Sequence, residues 1–207
     1  MSSFKKGGMY IFSSPSGAGK TTIVRKISKN RNFLVSISHT TRLPRPTEKN
    51  GHDYYFTSKK NFKKLIKKDE FLEHAKVFGN YYGSSKKLVI QKLKQGKNII
   101  FDIDWQGTRQ IRNKKLNYKL TTFFILPPSK EELLKRLIKR EKKNMKTVNK
   151  RMKEFKKHLS KWKEYDHVVI NDDLKLCYKK IMNVIRNKKK QIFKQSFIKK
   201  HIKKLLI

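Results

Sequence analysis

At 207 residues the chain is long enough for one domain with a sizeable core, or one core carrying small inserted subdomains. Its 54 Lys+Arg against 15 Asp+Glu give a formal net charge of +39, and a single cysteine, Cys177, excludes an intramolecular disulfide. No stretch approaches the ~20 apolar residues of a membrane span, and the apolar run Met9–Phe12 is too short for a signal-peptide core.

These features lead to the expectation of a soluble protein of a reducing cytoplasm. Two readings of the charge compete: a polyanion binder, or a basic solvated surface. The cations run from Lys5 to Lys204 and accompany many Asn, Ile and Phe residues. That mixture resembles drift toward A+T-rich codons laid over an ordinary enzyme, so no specific nucleic acid is expected.

In chain order, Met9–Phe12 lacks polar alternation and reads as a strand buried on both faces, the habit of parallel sheets. A Ser/Gly-rich turn follows, then a helix over Thr21–Lys29. Phe33–Ser38 reads as a second strand, after which Pro44, Pro46 and Gly51 interrupt regular structure. A helix is expected over Asn61–Lys68, turn plus short strand over Val77–Ser84, and a helix from Ser85 to Gln95, ended by Gly96. Asn98–Asp102 is a further buried strand that closes in acidic residues. Thr121–Leu126 is another, stopped by Pro127-Pro128. Ser129 with Glu132 forms a capping box that starts a helix through Ile138. Lys139–Met152 is highly charged, Val168–Ile170 is the last strand, and the tail from Ile181 is helix-like with an apolar stripe of Ile192, Phe193, Phe197, Ile198 and Ile202. Strands alternating with helices imply an α/β fold with a parallel sheet.

The strongest local motif is Ser14-Pro15-Ser16-Gly17-Ala18-Gly19-Lys20-Thr21. It matches a phosphate loop everywhere except its first position, where Ser14 replaces glycine. The loop's N–H groups and the positive end of the following helix suit a phosphate chain. Lys20 suits the β- and γ-phosphates, and the Thr21 hydroxyl suits Mg²⁺. Asp102 and Asp104 close a strand at the sheet edge where α/β ligands bind, and Asp102 could orient Mg²⁺ through water.

Five further segments carry a family resemblance: Ser36–Pro46, Phe71–Ala75, Val77–Gly83, Asp102–Gly107 and Leu126–Ser129. Together they are similar to bacterial guanylate kinase from about Tyr10 to Asp173, with Asn171-Asp172-Asp173 also matching. The resemblance implies a P-loop kinase with a parallel sheet core flanked by helices, an inserted GMP-binding subdomain and a lid. It implies transfer of the ATP γ-phosphoryl group to GMP, with Mg²⁺, in purine nucleotide metabolism. It divides the chain into a core of about 8–37, 89–129 and 156–190, a GMP-binding insertion of about 38–88, a lid of about 130–155 and a basic tail of about 185–207.

By the same resemblance Arg42, Arg45, Tyr54 and Tyr82 hold the GMP phosphate. Glu73 and Asp104 accept guanine donors, with Ser38 and Ser84 supplying hydroxyls. ATP falls to Ser14–Thr21, neighbouring Thr22 and Asn171. Lys20, Arg42, Arg136, Arg140 and Arg151 fall where charge is neutralised during transfer. Glu141 stands where the family often has Gly. A non-catalytic scaffold module of the same fold is the rival reading, and self-association through the tail's apolar stripe is left open.

Overall fold

The structure, a computed structural model, describes residues 7–141, 143–186 and 192–207. Part of the basic tail (187–191) and Lys142 of the charged segment lie outside the described residues.

A five-stranded sheet runs in the order β2 (Phe33–Val35), β7 (Asn98–Asp102), β1 (Met9–Ser13), β8 (Leu120–Leu126), β9 (His167–Ile170). β2–β7 and β8–β9 pair in parallel. Every residue of β1 and all but the first of β8 are buried, which is why these strands read as unbroken apolar runs. A four-stranded sheet runs in the order β4 (Tyr55–Phe56), β3 (Ser38–Thr40), β6 (Asn80–Ser85), β5 (Phe71–Val77).

The chain divides into two compact units. The first comprises Met1–Ile11 and Asn30–Leu120. It contains the four-stranded sheet and the helices α2 (Lys59–Lys67), α3 (Lys86–Lys94) and α4 (Trp105–Asn113). Its apolar core gathers Met9, Ile11, Leu72, Val89, Leu93, Ile99, Phe101, Ile103 and Ile111. α2 starts where the Ser58 side chain accepts from the Asn61 N–H. β5 and β6 form an antiparallel hairpin closed by Phe78 (φ 50°) and Gly79 (φ 87°), the paired positive dihedrals of a tight hairpin turn.

The second unit comprises Phe12–Lys29 and Thr121–Ile207. It holds α1 (Lys20–Ser28), α5 (Lys130–Arg140), α6 (Met145–Lys153), α7 (Phe155–Leu159), a 3-10 turn at Ser160–Glu164, α8 (Leu174–Ile185) and α9 (Gln195–Leu206). Ser129 caps α5 by accepting from the Glu132 N–H at 3.2 Å, and Asn144 caps α6 in the same way. Leu133, Leu137, Val148, Phe155, Trp162 and Tyr165 build the core, and Ile198, Ile202 and Leu205 of α9 complete it. Cys177 is fully buried on α8, as expected of a packed apolar residue.

Several expectations are corrected. Phe33–Ser38 is not one strand: β2 ends at Val35 and β3 starts at Ser38, in different sheets. Phe71–Val77 is a full strand, and Trp105–Asn113 is a helix that no apolar periodicity announced. α8 begins at Leu174, seven residues before the expected start, where Asp173 accepts from the Leu176 N–H.

Candidate functional site

Within the second unit, β1 runs into the glycine loop and α1 begins at Lys20. Gly17 and Gly19 sit at φ 92° and 91°, a region that suits glycine. Close packing adds a second demand at Gly19, because a Cβ there would overlap the Asn171 Nδ2. That amide is buried and donates to the Ala18 carbonyl at 2.9 Å, pinning the loop's backbone to the end of β9. No acidic residue occupies the first turn of α1, so the positive end of its dipole is left for an anion. Thr21 and Thr22 are exposed on that first turn, Ser14, Ser16, Gly17 and Lys20 are partly exposed, and Pro15 and Ala18 are buried.

The expected lid arginines converge on the same loop. Arg140 Nη2 and Arg151 Nη1 each donate to Ser16 Oγ at 2.8 Å. Glu141 Oε1 lies 2.9 Å from Arg140 Nε and 3.2 Å from Arg151 Nε. The first is a hydrogen bond; the second is an ion pair whose angle falls short of one. Arg136 Nε donates to Glu132 at 2.8 Å, one turn back on α5, and its Nη1 lies 3.5 Å from the Asn171 carbonyl.

Within the first unit a second polar group forms on the four-stranded sheet. Ser38, Thr40, Glu73 and Ser84 are buried, and the strand register sets Ser84 opposite both Ser38 and Glu73. Ser84 Oγ donates to Glu73 Oε1 at 2.6 Å. Such burial of a carboxylate is costly unless it is hydrogen-bonded. Gly107 lies against the other oxygen: a Cβ there would overlap Glu73 Oε2.

Beside it is an aromatic and cationic cluster. Arg42 lies over the rings of Tyr54 (5.4 Å) and Phe56 (5.9 Å), and Tyr54 meets Tyr82 edge-on at 6.0 Å. Burial would lower the Arg42 pKa, but hydrogen bonding to and attraction by Glu48, with help from Tyr82, leave it raised. Burial pushes the Tyr54 phenol far above its ordinary value, and the charge of Asp102 adds to this, so Tyr54 is a neutral donor at any working pH. Arg45 donates its main-chain N–H to Glu48 at 2.8 Å, bringing the two arginines to one carboxylate.

Asp104 has a second occupation that its sequence position did not reveal. It is the N-cap of α4: Oδ1 accepts from Gln106 N (2.9 Å) and Gly107 N (3.1 Å), and Oδ2 accepts from Gln106 Nε2 (2.8 Å). Sequence reasoning assigned no role to Glu48, read Glu132 only as part of the Ser129 capping box, and took Gly107 only as a motif residue. The signals available were the Arg42-Arg45-Glu48 spacing of three and the i,i+4 spacing of Glu132 and Arg136.

A glycine loop between a buried strand and a helix, with arginines bonded to it, and a polar cluster with a buried carboxylate beside paired arginines and tyrosines define the class of P-loop nucleotide kinases. Comparison with known proteins narrows it. Residues 6–188 match the sequence model of the guanylate kinase family. The guanylate kinase of Ruegeria pomeroyi is 40% identical over 202 residues, covering 97% of this chain and 95% of that protein. That of Escherichia coli O157:H7 is 42% identical over 193 residues, 92% of each. The crystal structure of guanylate kinase from Anaplasma phagocytophilum superposes with a TM-score of 0.74 at 32% identity, covering 89% of this chain and 87% of that one. The chain belongs to the guanylate kinase family.

Proposed function

We propose that this chain carries out its family's reaction, transfer of the γ-phosphoryl group of ATP to GMP to give ADP and GDP. The observation that carries the choice of acceptor is the buried Glu73 carboxylate, oriented by Ser84. Guanine offers paired donors at N1 and N2 that a carboxylate accepts; adenine lacks that pair. A site built around such a group rejects the wrong base because mismatch leaves buried polar atoms unpaired. Ser38 and Asp104 supply further polar contacts to the base.

Arg42 and Arg45 grip the GMP phosphate as planar forks, and Tyr54 and Tyr82 add neutral donors. The loop from Ser14 to Thr22, with Asn171 fixing its backbone, cradles the ATP phosphates. An oxygen of the GMP phosphate forms a bond to Pγ while the bond from Pγ to the β–γ bridging oxygen breaks. The nucleophile is already an anion, so no general base is needed. Lys20, Arg136, Arg140 and Arg151 offset the charge that gathers during transfer.

Mg²⁺ fits this donor set. Among the described residues no group of three or more His, Cys, Asp or Glu forms a protein cage for a metal. Mg²⁺ of this kind is held by one or two protein oxygens together with substrate phosphates and water. Thr21 would hold it, together with water and phosphate oxygens, and it would supply charge neutralisation on the donor phosphates.

The insertion of about 38–88 is the acceptor-binding segment and about 130–155 the lid. No helix among the described residues is long and apolar enough to cross a membrane, and a cytoplasmic location suits the reaction. A coupled ADP-release assay with GMP, dGMP, AMP and UMP tests the proposal. GMP-dependent turnover that Lys20→Ala abolishes supports it, and folded protein that consumes no ATP with GMP and Mg²⁺ refutes it.

A further inference from the structure

We propose that each phosphate-site arginine pair is held in its working geometry by a carboxylate of its own: Glu48 for Arg42 and Arg45, and Glu141 for Arg140 and Arg151. The inference rests on the nucleotide assignments above, but it concerns two residues those assignments leave without a role. Two separate arrangements carry it, one in each unit.

At the acceptor pocket, Arg42 Nη2 donates to both Glu48 oxygens, at 2.8 and 2.9 Å. The Arg45 main-chain N–H donates to Glu48 at 2.8 Å, and Arg45 Nη1 at 3.4 Å. Arg42 Nη1 is tied back to the Leu43 carbonyl at 2.6 Å. Glu48 and the Leu43 carbonyl thus seat the guanidinium over the Tyr54 and Phe56 rings.

At the loop, Arg140 and Arg151 both point an Nη group at the one hydroxyl of Ser16. Two guanidinium groups brought that close repel each other. Glu141 lies at the Nε of both and offsets the repulsion from behind, leaving the Nη ends forward. Ser16 Oγ occupies the place on each fork that a phosphate oxygen can take. Glu141 closes the end of α5, its N–H bonded to the Leu137 carbonyl at 2.9 Å, so the backbone fixes where its carboxylate can reach.

The side chains of Glu48 and Glu141 are only 10% and 12% exposed, so water screens these ion pairs weakly. A carboxylate beside a phosphate site also repels the incoming phosphate. Two facts favour the positioning role. Each cluster keeps two cations for one anion, so the net field still attracts phosphate. A side chain already ordered also loses less freedom on binding. Glu48 and Glu141 are thus positioning residues for the acceptor and donor phosphates respectively.

The test uses the full chain as wild type, Glu48→Gln and Glu141→Gln. Steady-state kinetics are run with Mg–ATP and GMP, with calorimetric binding of each nucleotide alongside. E48Q is expected to raise the KM for GMP about tenfold and leave that for ATP within about twofold. E141Q is expected to do the reverse, each by the order of one lost charge-assisted contact. In each variant the unaffected substrate reports that the fold is intact. Equal shifts in both KM values, no shift, or a KM that falls because the carboxylate had been competing with substrate would overturn the proposal. Wild-type protein that shows no GMP-dependent turnover would count against the reaction assigned above; the binding of ATP to E141Q and of GMP to E48Q would still decide this one.

Discussion

Gly19→Ala is a sharp test of how the phosphate loop is held, because its cost divides into two separable parts. At φ 91° an alanine is forced into a region that L-residues avoid, a penalty of about 1–2 kcal/mol. Its Cβ would also overlap the Asn171 amide, which cannot simply swing away, being buried and bonded to the Ala18 carbonyl at 2.9 Å. Displacing it strands a buried donor and acceptor, for a further ~1–3 kcal/mol. The sum, about 2–5 kcal/mol, corresponds to a fall in Tm of roughly 4–20 °C for a chain of this size. The measurement is a double-mutant cycle by chemical denaturation with Asn171→Ala. In the N171A background the overlap is gone, so G19A should cost only the dihedral part and the cycle should show a coupling of about 1–3 kcal/mol. Costs that add to within about 0.5 kcal/mol would show that the amide and the loop are not in contact as described.

Gly107→Ala sets a helix-propensity gain of about 1 kcal/mol against ~1–3 kcal/mol for displacing the buried Glu73 carboxylate from Ser84, so Tm should fall by no more than about 8 °C, while the KM for GMP rises about tenfold or more, ~1.4 kcal/mol. An unaltered KM would refute the close approach. Cys177, whose thiol burial pushes up to about 12, should resist Ellman's reagent at pH 8 in the native state and react fully in denaturant; rapid labelling of native protein would contradict its burial. His39 and His167 both have pKa values lowered by burial, the second partly offset by Asp166. The unfolded chain therefore binds more protons, so their contribution is complete above about pH 6.5 and is lost as pH falls toward their folded values. His39→Phe, which keeps an aromatic ring against Tyr55 and Phe71, should flatten the fall in Tm between pH 7.5 and 5.5; an unchanged slope would refute the assignment.

The large sheet was legible in the sequence because strands covered on both faces spell unbroken apolar runs, as in Met9–Phe12 and Thr121–Leu126. The smaller sheet was not, for the opposite reason. Its buried positions mix Ser38, Thr40, Glu73 and Ser84 with Phe71, Leu72 and Ala75, so polar residues interrupt the apolar pattern that would announce a strand. α4 escaped notice because Gly107 and Thr108 contribute its buried face along with Ile111, leaving too weak a stripe for periodicity to show. At the site, the motif residues were legible as residue types, whereas the bridging carboxylates were not. Glu141 joins Arg140 beside it to Arg151 on the next helix, a relation that sequence spacing does not announce.

Asp104 shows how a single carboxylate can satisfy a motif and a helix together, and it allows the two demands to be told apart. Its Oδ1 already accepts two main-chain N–H groups at the start of α4, and Oδ2 accepts from Gln106, so most of its capacity serves the helix. Glu73, by contrast, is a strand residue with no capping duty. Asparagine caps helices about as well as aspartate, so Asp104→Asn should hold Tm within about 2 °C, a change of about 0.5–1 kcal/mol at most at this chain length. Its effect on the KM for GMP should be smaller than that of Glu73→Gln, which removes the buried charge proposed above to meet the base. Parallel titration of GMP into both variants checks the order. A loss in D104N equal to or larger than that in E73Q would mean that Asp104 reads the base as strongly as it caps the helix. The division of labour drawn from its hydrogen bonds would then be wrong.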